Sequence, residues 1–197
     1  MHIPHLSKDK KLQKLVELLP AQDLIPRKNV YLHLCSSIIS QQLSTKVADV
    51  IYKRFLALFN TKIPTPQQII STPLENLRGI GLSNAKAGYV ANVCRFFIEE
   101  EITDAKLNKM GNEEVIELLT KIKGVGKWTV EMILMFTLAR EDVFAVDDLG
   151  IQQAMSKLYN IDATDKKQMK EKMLKISMRW SPYRTYACRY LWRWKDS

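Results

Sequence analysis

A pair of closely spaced glycines is the feature of this sequence that most directly suggests chemistry. Gly124 and Gly126 follow the end of one helical pattern near Ile122 and immediately precede the next helix. Glycines one residue apart permit a tight turn whose backbone a ligand can approach. The amides of Val125, Gly126 and Lys127 would point outward at a helix amino terminus, where the helix dipole favours an anion. The arrangement predicts a site for one phosphate; the competing interpretation is a turn that only connects two helices.

Two adjacent acids further along the chain form the second candidate group. Asp147 and Asp148 lie in the run AVDDLGI, downstream of the helix that follows the glycine turn. Aspartate is common at the start of a helix, where its carboxylate accepts hydrogen bonds from backbone N–H groups. Taken alone, the two acids indicate a helix cap more readily than a reacting group.

The charge balance favours a polyanionic partner. The 197 residues include 30 Lys and Arg against 21 Asp and Glu, which gives a formal net charge of +9 and a pI near 9.4. Basic proteins of this size often bind nucleic acid, because contacts to phosphate release condensed counterions. Solubility alone is the competing explanation. The excess is greatest over residues 166–197, which hold ten Lys or Arg and two acids.

Composition excludes several classes of protein. Hydrophobic residues make up 46% and charged residues 26% of the chain, as in globular and unlike disordered proteins. The sequence has no run of 18 apolar residues that could span a membrane, and its first residues lack the apolar segment of a secretory signal. Three separated cysteines argue against a disulfide framework, a zinc ribbon and an iron–sulfur cluster. We therefore expect an intracellular protein, in the cytoplasm or nucleoid.

The elements that must position these residues are helices. Period-two alternation is nearly absent, and the apolar spacing predicts an all-α protein of about ten helices. Thr65-Pro66 and Thr72-Pro73 each offer a capping threonine and a proline at the first helical position, followed two residues later by Gln68 or Glu75. Ser83 is expected to cap the helix at 83–100. The predicted helices include residues 8–19, 30–39, 83–100, 112–121, 127–139, 148–158, 164–179 and 182–193.

Four segments of the sequence are more specific together than any one of them is alone. They are Ile38–Ser44 (IISQQLS), Gly124–Thr129 (GVGKWT), Asp142–Ile151 (DVFAVDDLGI) and Trp180–Arg193 (WSPYRTYACRYLWR). In this order they resemble the helix–hairpin–helix superfamily of DNA glycosylases. The resemblance is strongest to its alkylbase branch, the 3-methyladenine DNA glycosylase II type, and covers nearly the whole chain.

The resemblance implies a fold and an activity. The fold is a single catalytic unit, residues 1–197, in which two helical subdomains flank a cleft. We expect one subdomain at about residues 29–139, with the helix–hairpin–helix at 112–139, and the other at residues 1–28 plus 140–197. The implied activity is to extrude an alkylated purine from duplex DNA and to hydrolyse its N-glycosidic bond, which initiates base-excision repair.

The resemblance also assigns catalytic residues. Its family carries an aspartate 24 residues after the first hairpin glycine, and counting from Gly124 leads to Asp148. The neighbouring Asp147 either caps the helix or shares the task. A carboxylate there would stabilise the oxocarbenium charge on the sugar and orient or deprotonate the attacking water. Members that also cut the strand carry lysine where this chain has Trp128, so we expect no lyase activity.

The base pocket and the residue that enters the duplex are implied in the same way. Trp128 and Trp192 are expected to line a pocket that attracts a cationic purine by stacking and cation–π forces. Met132 stands where a relative has tyrosine, which makes the pocket less aromatic. Gln42 is expected to fill the gap left by the flipped nucleotide, with Gln41 as its support.

The hairpin is implied to contact the DNA backbone. The residues expected on a DNA phosphate are Gly124, Val125, Gly126 and Lys127. Arg184 either joins them on the phosphate or buttresses the acidic loop. The backbone carbonyls implied to hold a monovalent cation, Na⁺ or K⁺, are those of Thr120, Ile122 and Val125. No cofactor is required and no iron–sulfur cluster is expected.

Two other functions stay open. A non-catalytic helix–hairpin–helix protein would only bind DNA and would not need Asp148. A glycosylase for oxidised or mismatched bases would share the fold, and Trp128 in place of lysine argues only against its lyase form. For all three functions the expected partner is double-stranded DNA, and for the two glycosylases this DNA carries damaged bases. We expect a monomer that binds no membrane.

Overall fold

The computed structural model describes residues 1–196 of the chain. Over this range it shows thirteen α-helices, one short 3₁₀ helix and no strand, so the prediction of an all-α protein is confirmed. The number of helices exceeds the expected ten partly because His2–Leu6 and Asp104–Lys109 are too short to leave a periodic pattern. No helix in the described part is long and apolar enough to cross a membrane.

The helices are numbered in chain order. They are α1 (His2–Leu6), α2 (Lys10–Leu18), α3 (Val30–Ser40), α4 (Thr45–Ala57), α5 (Pro66–Ile70), α6 (Leu74–Gly79), α7 (Asn84–Glu99), α8 (Asp104–Lys109), α9 (Asn112–Leu119), α10 (Lys127–Phe136), α11 (Leu149–Tyr159), α12 (Lys166–Ser177) and α13 (Arg184–Lys195). The 3₁₀ helix is Met178–Trp180. The chain divides into two compact units, Arg27–Ile133 and Met1–Pro26 with the residues from Leu134 onward.

The unit Arg27–Ile133 is built on the pair α3 and α7. Helix α4 packs on α3, and α5 and α6 pack on α7. Helix α3 is fixed at its amino terminus by Asp104, whose carboxylate accepts the N–H groups of Asn29 at 2.6 Å and Val30 at 3.0 Å. Most apolar residues of α3 are buried, and Ile38 is completely buried. The other end of this anchored helix leads directly to the predicted wedge residues.

The second unit is built on α11 and α13, with α2 packed on α13 and α12 packed on α11. Its largest fully buried side chain is Trp180, whose indole N–H donates to Asp9 at 3.2 Å. The same carboxylate accepts the Tyr159 hydroxyl at 2.8 Å and caps α2. One acid therefore joins the start of α2 to the end of α11, and this frame carries the predicted catalytic loop.

Local capping signals predicted some helix starts better than others. Thr65 forms the expected capping box with Gln68, which begins α5. Ser83 caps α7 by accepting the N–H of Lys86 at 3.3 Å. The prediction for Thr72 was wrong: its hydroxyl donates back to the Gln68 carbonyl at 3.0 Å, and α6 begins without a side-chain cap. A threonine that follows a helix directly can bond to that helix instead of starting the next one.

Candidate functional site

The glycine turn joins α9 to α10, as the sequence predicted. The Val125 N–H donates to the Ile122 carbonyl at 3.0 Å, which closes the turn, and α10 starts at Lys127. The Asn92 side chain, on α7, donates to the Lys123 carbonyl at 3.3 Å and ties the turn to that helix. The hairpin backbone is therefore held from outside as well as by its own hydrogen bond.

The two glycines of the turn have different roles. Gly124 has a φ of 104°, and a Cβ atom there would overlap the ring of Tyr89. Gly126 is exposed, and a Cβ atom there would meet no atom within 4 Å. Gly124 is thus needed for the fold, whereas Gly126 leaves the start of α10 open to a large ligand. The adjacent Lys127 is 55% exposed in its side chain, and its ammonium lies 3.9 Å from the buried Glu131.

A cavity of about 470 Å³ lies in the same unit, where the end of α3 meets the start of α10. The structure brings four predicted residues to this cavity: Gln41, Gln42, Trp128 and Met132. Trp128 is both a lining residue of the cavity and 44% exposed. Residues that the sequence analysis missed also line it, namely Ser36, Ser37, Ser40 and Thr129. The three serines interrupt a mostly apolar helix, and that interruption was the available signal.

The catalytic candidate Asp148 is the N-cap of α11. Its Oδ1 atom accepts the Ile151 N–H at 2.8 Å and the Trp192 indole N–H at 2.8 Å. The structure thus brings together two predicted residues that lie 44 positions apart. Phe136, which the sequence analysis missed, packs against Trp192 with ring centroids 5.7 Å apart. The absence of a side chain at Gly150 leaves space for the Trp192 ring, because a Cβ atom at this position would lie 3.0 Å from the ring.

Asp147 lies apart from this arrangement. It is exposed, and its carboxylate pairs with Lys170 of α12 at 2.5 Å. The alternative in which Asp147 caps the helix was wrong, because Asp148 itself occupies the N-cap position of α11. The adjacent acids therefore point to different partners, and Asp148 is the one held by Trp192.

Arg184 holds the loop that precedes Asp147 and Asp148. Its guanidinium donates to both oxygens of Asp142, at 2.6 and 3.0 Å, and the Ser181 hydroxyl donates to the same carboxylate at 2.9 Å. Burial raises the pKa of Asp142, but the hydrogen bonds from Arg184 and Ser181 outweigh it, so its pKa lies below the ordinary 3.8. This geometry matches the buttressing role considered for Arg184, since the ion pair joins the loop to the start of α13.

The predicted residues accordingly form two groups, one in each unit. The first comprises the hairpin and the cavity beside Trp128. The second comprises Asp148 with Trp192. An all-helical fold with a glycine hairpin between two helices and a carboxylate at a helix start is the arrangement of a helix–hairpin–helix protein. A family model described as the HhH-GPD superfamily base excision DNA repair protein matches residues 35–179. The chain belongs to this superfamily.

Individual relatives agree with this assignment. The chain is 36% identical to DNA-3-methyladenine glycosylase 1 of Schizosaccharomyces pombe, over 98% of this chain and 85% of that protein. It is similar to the crystal structure of a DNA-3-methyladenine glycosidase from Bacillus halodurans, with a TM-score of 0.87, 35% identity and coverage of 98% and 88%. It is also similar to the S. pombe 3-methyladenine DNA glycosylase Mag1 in complex with abasic DNA, with a TM-score of 0.84, 35% identity and coverage of 100% and 97%.

Proposed function

We propose that this chain is a monofunctional DNA glycosylase that flips alkylated purines of the 3-methyladenine type out of duplex DNA and excises them. This reaction initiates base-excision repair. Membership of the superfamily and the names of the similar proteins support the substrate class. The observation that carries the proposal is Asp148, whose carboxylate is fixed by two N–H donors, one from Ile151 and one from Trp192.

The cavity beside Trp128 receives the extruded base in this proposal. A purine must leave the stack before its glycosidic bond can be reached. Alkylation at N3 or N7 makes the base cationic, and a tryptophan face attracts such a cation by about 0.5–2 kcal/mol. Met132 adds a polarisable surface, and the hydroxyls of Ser36 and Ser37 offer both donors and acceptors to the base edge.

Asp148 acts on the sugar. As the bond to the base breaks, the sugar gains oxocarbenium character, which a carboxylate stabilises. The same carboxylate orients or deprotonates the water that attacks the sugar. A cationic purine is already a good leaving group, so a single carboxylate is sufficient. Trp128 stands where a strand-cutting relative has lysine, and an indole cannot form a Schiff base with the sugar.

The hairpin binds the DNA backbone. The amides around the open Gly126 bind a phosphate at the start of α10, with the helix dipole and the exposed Lys127 in support. A monovalent cation suits the preceding turn, because Thr120 caps the end of α9, where carbonyls lack helical donors. The carbonyls proposed to hold Na⁺ or K⁺ are those of Thr120, Ile122 and Val125. No reacting step depends on this cation.

The partner in this proposal is double-stranded DNA that carries damaged bases. The enzyme acts as a monomer, and it works where the DNA lies, in the cytoplasm or nucleoid. No other cofactor is needed, because hydrolysis requires only water, a carboxylate and an extruded base.

Base release from methylated duplex DNA tests this function. Free bases are separated by chromatography, and abasic sites are counted by alkaline cleavage. The natural protein is compared with Asp148→Asn, Asp147→Asn and Asp165→Asn. Asp165 is the matched control, because it caps α12 as Asp148 caps α11. Asparagine preserves a cap but removes the charge.

We expect 3-methyladenine release to fall about 100-fold or more in Asp148→Asn, as when a group that stabilises transition-state charge is removed. Release should persist in Asp165→Asn and largely persist in Asp147→Asn, which is paired with Lys170. DNA binding without release of any base by the natural protein would instead identify a non-catalytic DNA-binding protein. Release of oxidised bases alone would identify the other glycosylase class.

A further inference from the structure

The turn that presents Gln42 has an unfavourable backbone conformation. Helix α3 ends at Ser40, Gln41 leaves the helical region with φ −51° and ψ 130°, and Gln42 is exposed with φ 59°. A residue with a Cβ atom rarely adopts this left-handed region. Hydrogen bonds from Gln41 N–H to Ile38 O and from Leu43 N–H to Ser40 O outline the turn at 3.3 and 3.1 Å. Such a turn needs support from neighbouring residues.

Lys86 supplies that support from another helix. Its ammonium donates to the carbonyl of Gln41 at 2.6 Å and to that of Ile39 at 2.8 Å. These carbonyls lie at the end of α3, where helical donors are lacking and a cation is favoured. Lys86 belongs to the first turn of α7, which packs along α3. Burial lowers the pKa of Lys86, in keeping with an ammonium that is drawn against the protein.

The bond to Gln41 acts directly on the backbone of Gln42. The carbonyl of Gln41 and the N–H of Gln42 belong to the same planar peptide unit. Fixing the oxygen therefore fixes the plane from which the Gln42 side chain turns away. The second bond, to Ile39, prevents the ammonium from swinging about the first.

We propose that Lys86 is a positioning residue for strand insertion, which holds the Gln41–Gln42 turn in the shape that lets Gln42 enter the duplex. This inference rests on the proposed function, since Gln42 inserts only if a nucleotide is flipped. Lys86 acts through the backbone of the turn and makes no contact with the DNA. Two of its three N–H donors are engaged by the carbonyls.

The experiment separates insertion from base release. The probe is a duplex with a tetrahydrofuran abasic analogue and 2-aminopurine in the opposite strand, because insertion changes 2-aminopurine fluorescence without any reaction. Stopped-flow traces are recorded for the natural protein, Lys86→Met, Lys86→Arg, Gln42→Ala and the double variant Lys86→Met with Gln42→Ala. The matched control is Lys106→Met, because the Lys106 ammonium donates to the Glu100 carbonyl at 2.7 Å, at the end of α7.

We expect Lys86→Met to slow insertion about tenfold or more, since small displacements of a positioned group have large kinetic effects. Gln42→Ala should cause a similar loss, and the double variant should be no slower than the slower single variant. Lys86→Arg should recover part of the rate, because it retains a cation with several donors. Lys106→Met should insert at the natural rate.

Three results would overturn the inference. The first is a double variant whose loss equals the product of the single losses, which means that Lys86 and Gln42 act independently. The second is a natural rate in Lys86→Met. The third is weaker binding of undamaged duplex with a salt dependence reduced by about one phosphate contact, which would make Lys86 a direct DNA ligand. If Lys86→Met melts early, Lys86→Gln, which also removes the charge, takes its place in the comparison with Lys86→Arg. Because the abasic probe reports insertion alone, a protein that inserts but releases no base would refute the proposed function and leave this inference intact.

Discussion

The indole N–H of Trp192 donates to Oδ1 of Asp148 at 2.8 Å, and the same oxygen accepts the backbone N–H of Ile151 at 2.8 Å. The sequence left two interpretations of Asp148 open, a helix cap and a reacting carboxylate. In the structure Asp148 caps α11, and Trp192 of α13 holds its carboxylate in place. Trp192 does not line the cavity beside Trp128, where the sequence resemblance placed it; its indole N–H instead restrains the carboxylate of Asp148. Two donors to one oxygen restrict its rotation, as preorganised catalysis requires.

Trp192→Phe tests this orienting role. Phenylalanine keeps an aromatic ring beside Phe136 but loses the N–H donor. A hydrogen bond to a charged group contributes about 1.5–3 kcal/mol. We expect the single-turnover rate of base release to fall about tenfold or more, with little change in affinity for abasic DNA. Trp194→Phe, on the same helix, is the control and should retain activity. Equal rates for the two variants would mean that Asp148 is positioned without the indole.

Gly150→Ala should separate stability from activity. Alanine is usually favoured over glycine inside a helix by about 0.5–1 kcal/mol. The added Cβ atom, however, would lie 3.0 Å from Trp192 Cδ1 and 3.1 Å from Asp148 Oδ1. We expect base release to fall while the melting temperature stays near that of the natural protein.

The control for that variant is Gly88→Ala in α7, where a Cβ atom meets nothing within 4 Å. It should raise the melting temperature and leave base release unchanged. Full activity in Gly150→Ala would show that the indole and the carboxylate adapt to the methyl group.

The parts of the fold that could be predicted from the sequence are those with local causes. Apolar spacing predicts most helices, Thr65 and Ser83 cap as expected, and the glycine spacing predicts the hairpin. Each of these depends on residues within a few positions of one another. The short helices α1 and α8 were missed because fewer than two turns leave no clear period.

The site contacts depend on residues that are distant in sequence. Trp192 and Asp148 are 44 positions apart, and Arg184 and Asp142 are 42 apart, so only packing pairs them. Lys86 was missed for a different reason. Its acceptors are backbone carbonyls, which every residue has, so no residue type marks them in the sequence.

Asp142→Asn should destabilise the protein in a pH-dependent way. The folded pKa of Asp142 lies below 3.8, so its ionised form is favoured by folding, and the contribution is fully present above 3.8. As the pH falls through 3.8 toward the folded pKa, the unfolded chain takes up the proton first and the contribution is lost. Urea unfolding at pH 7 should show a loss of about 1–3 kcal/mol in the variant. At pH 3 the difference should shrink; a constant difference would mean that charge plays no part.

Gly124→Ala should lower the stability of the protein, whereas Gly126→Ala should lower its affinity for DNA. At Gly124 a methyl group would overlap the Tyr89 ring in a left-handed backbone, so we expect the free energy of unfolding to fall by about 1–3 kcal/mol.

At Gly126 the added Cβ atom meets no protein atom, so stability should not change. The same methyl group would stand where a phosphate approaches the amides, and affinity for duplex DNA should fall about tenfold, as for the loss of one charge-assisted contact. Thermal melting and fluorescence anisotropy with abasic duplex measure the two effects separately. Natural affinity in Gly126→Ala would show that the phosphate does not approach the hairpin at this residue.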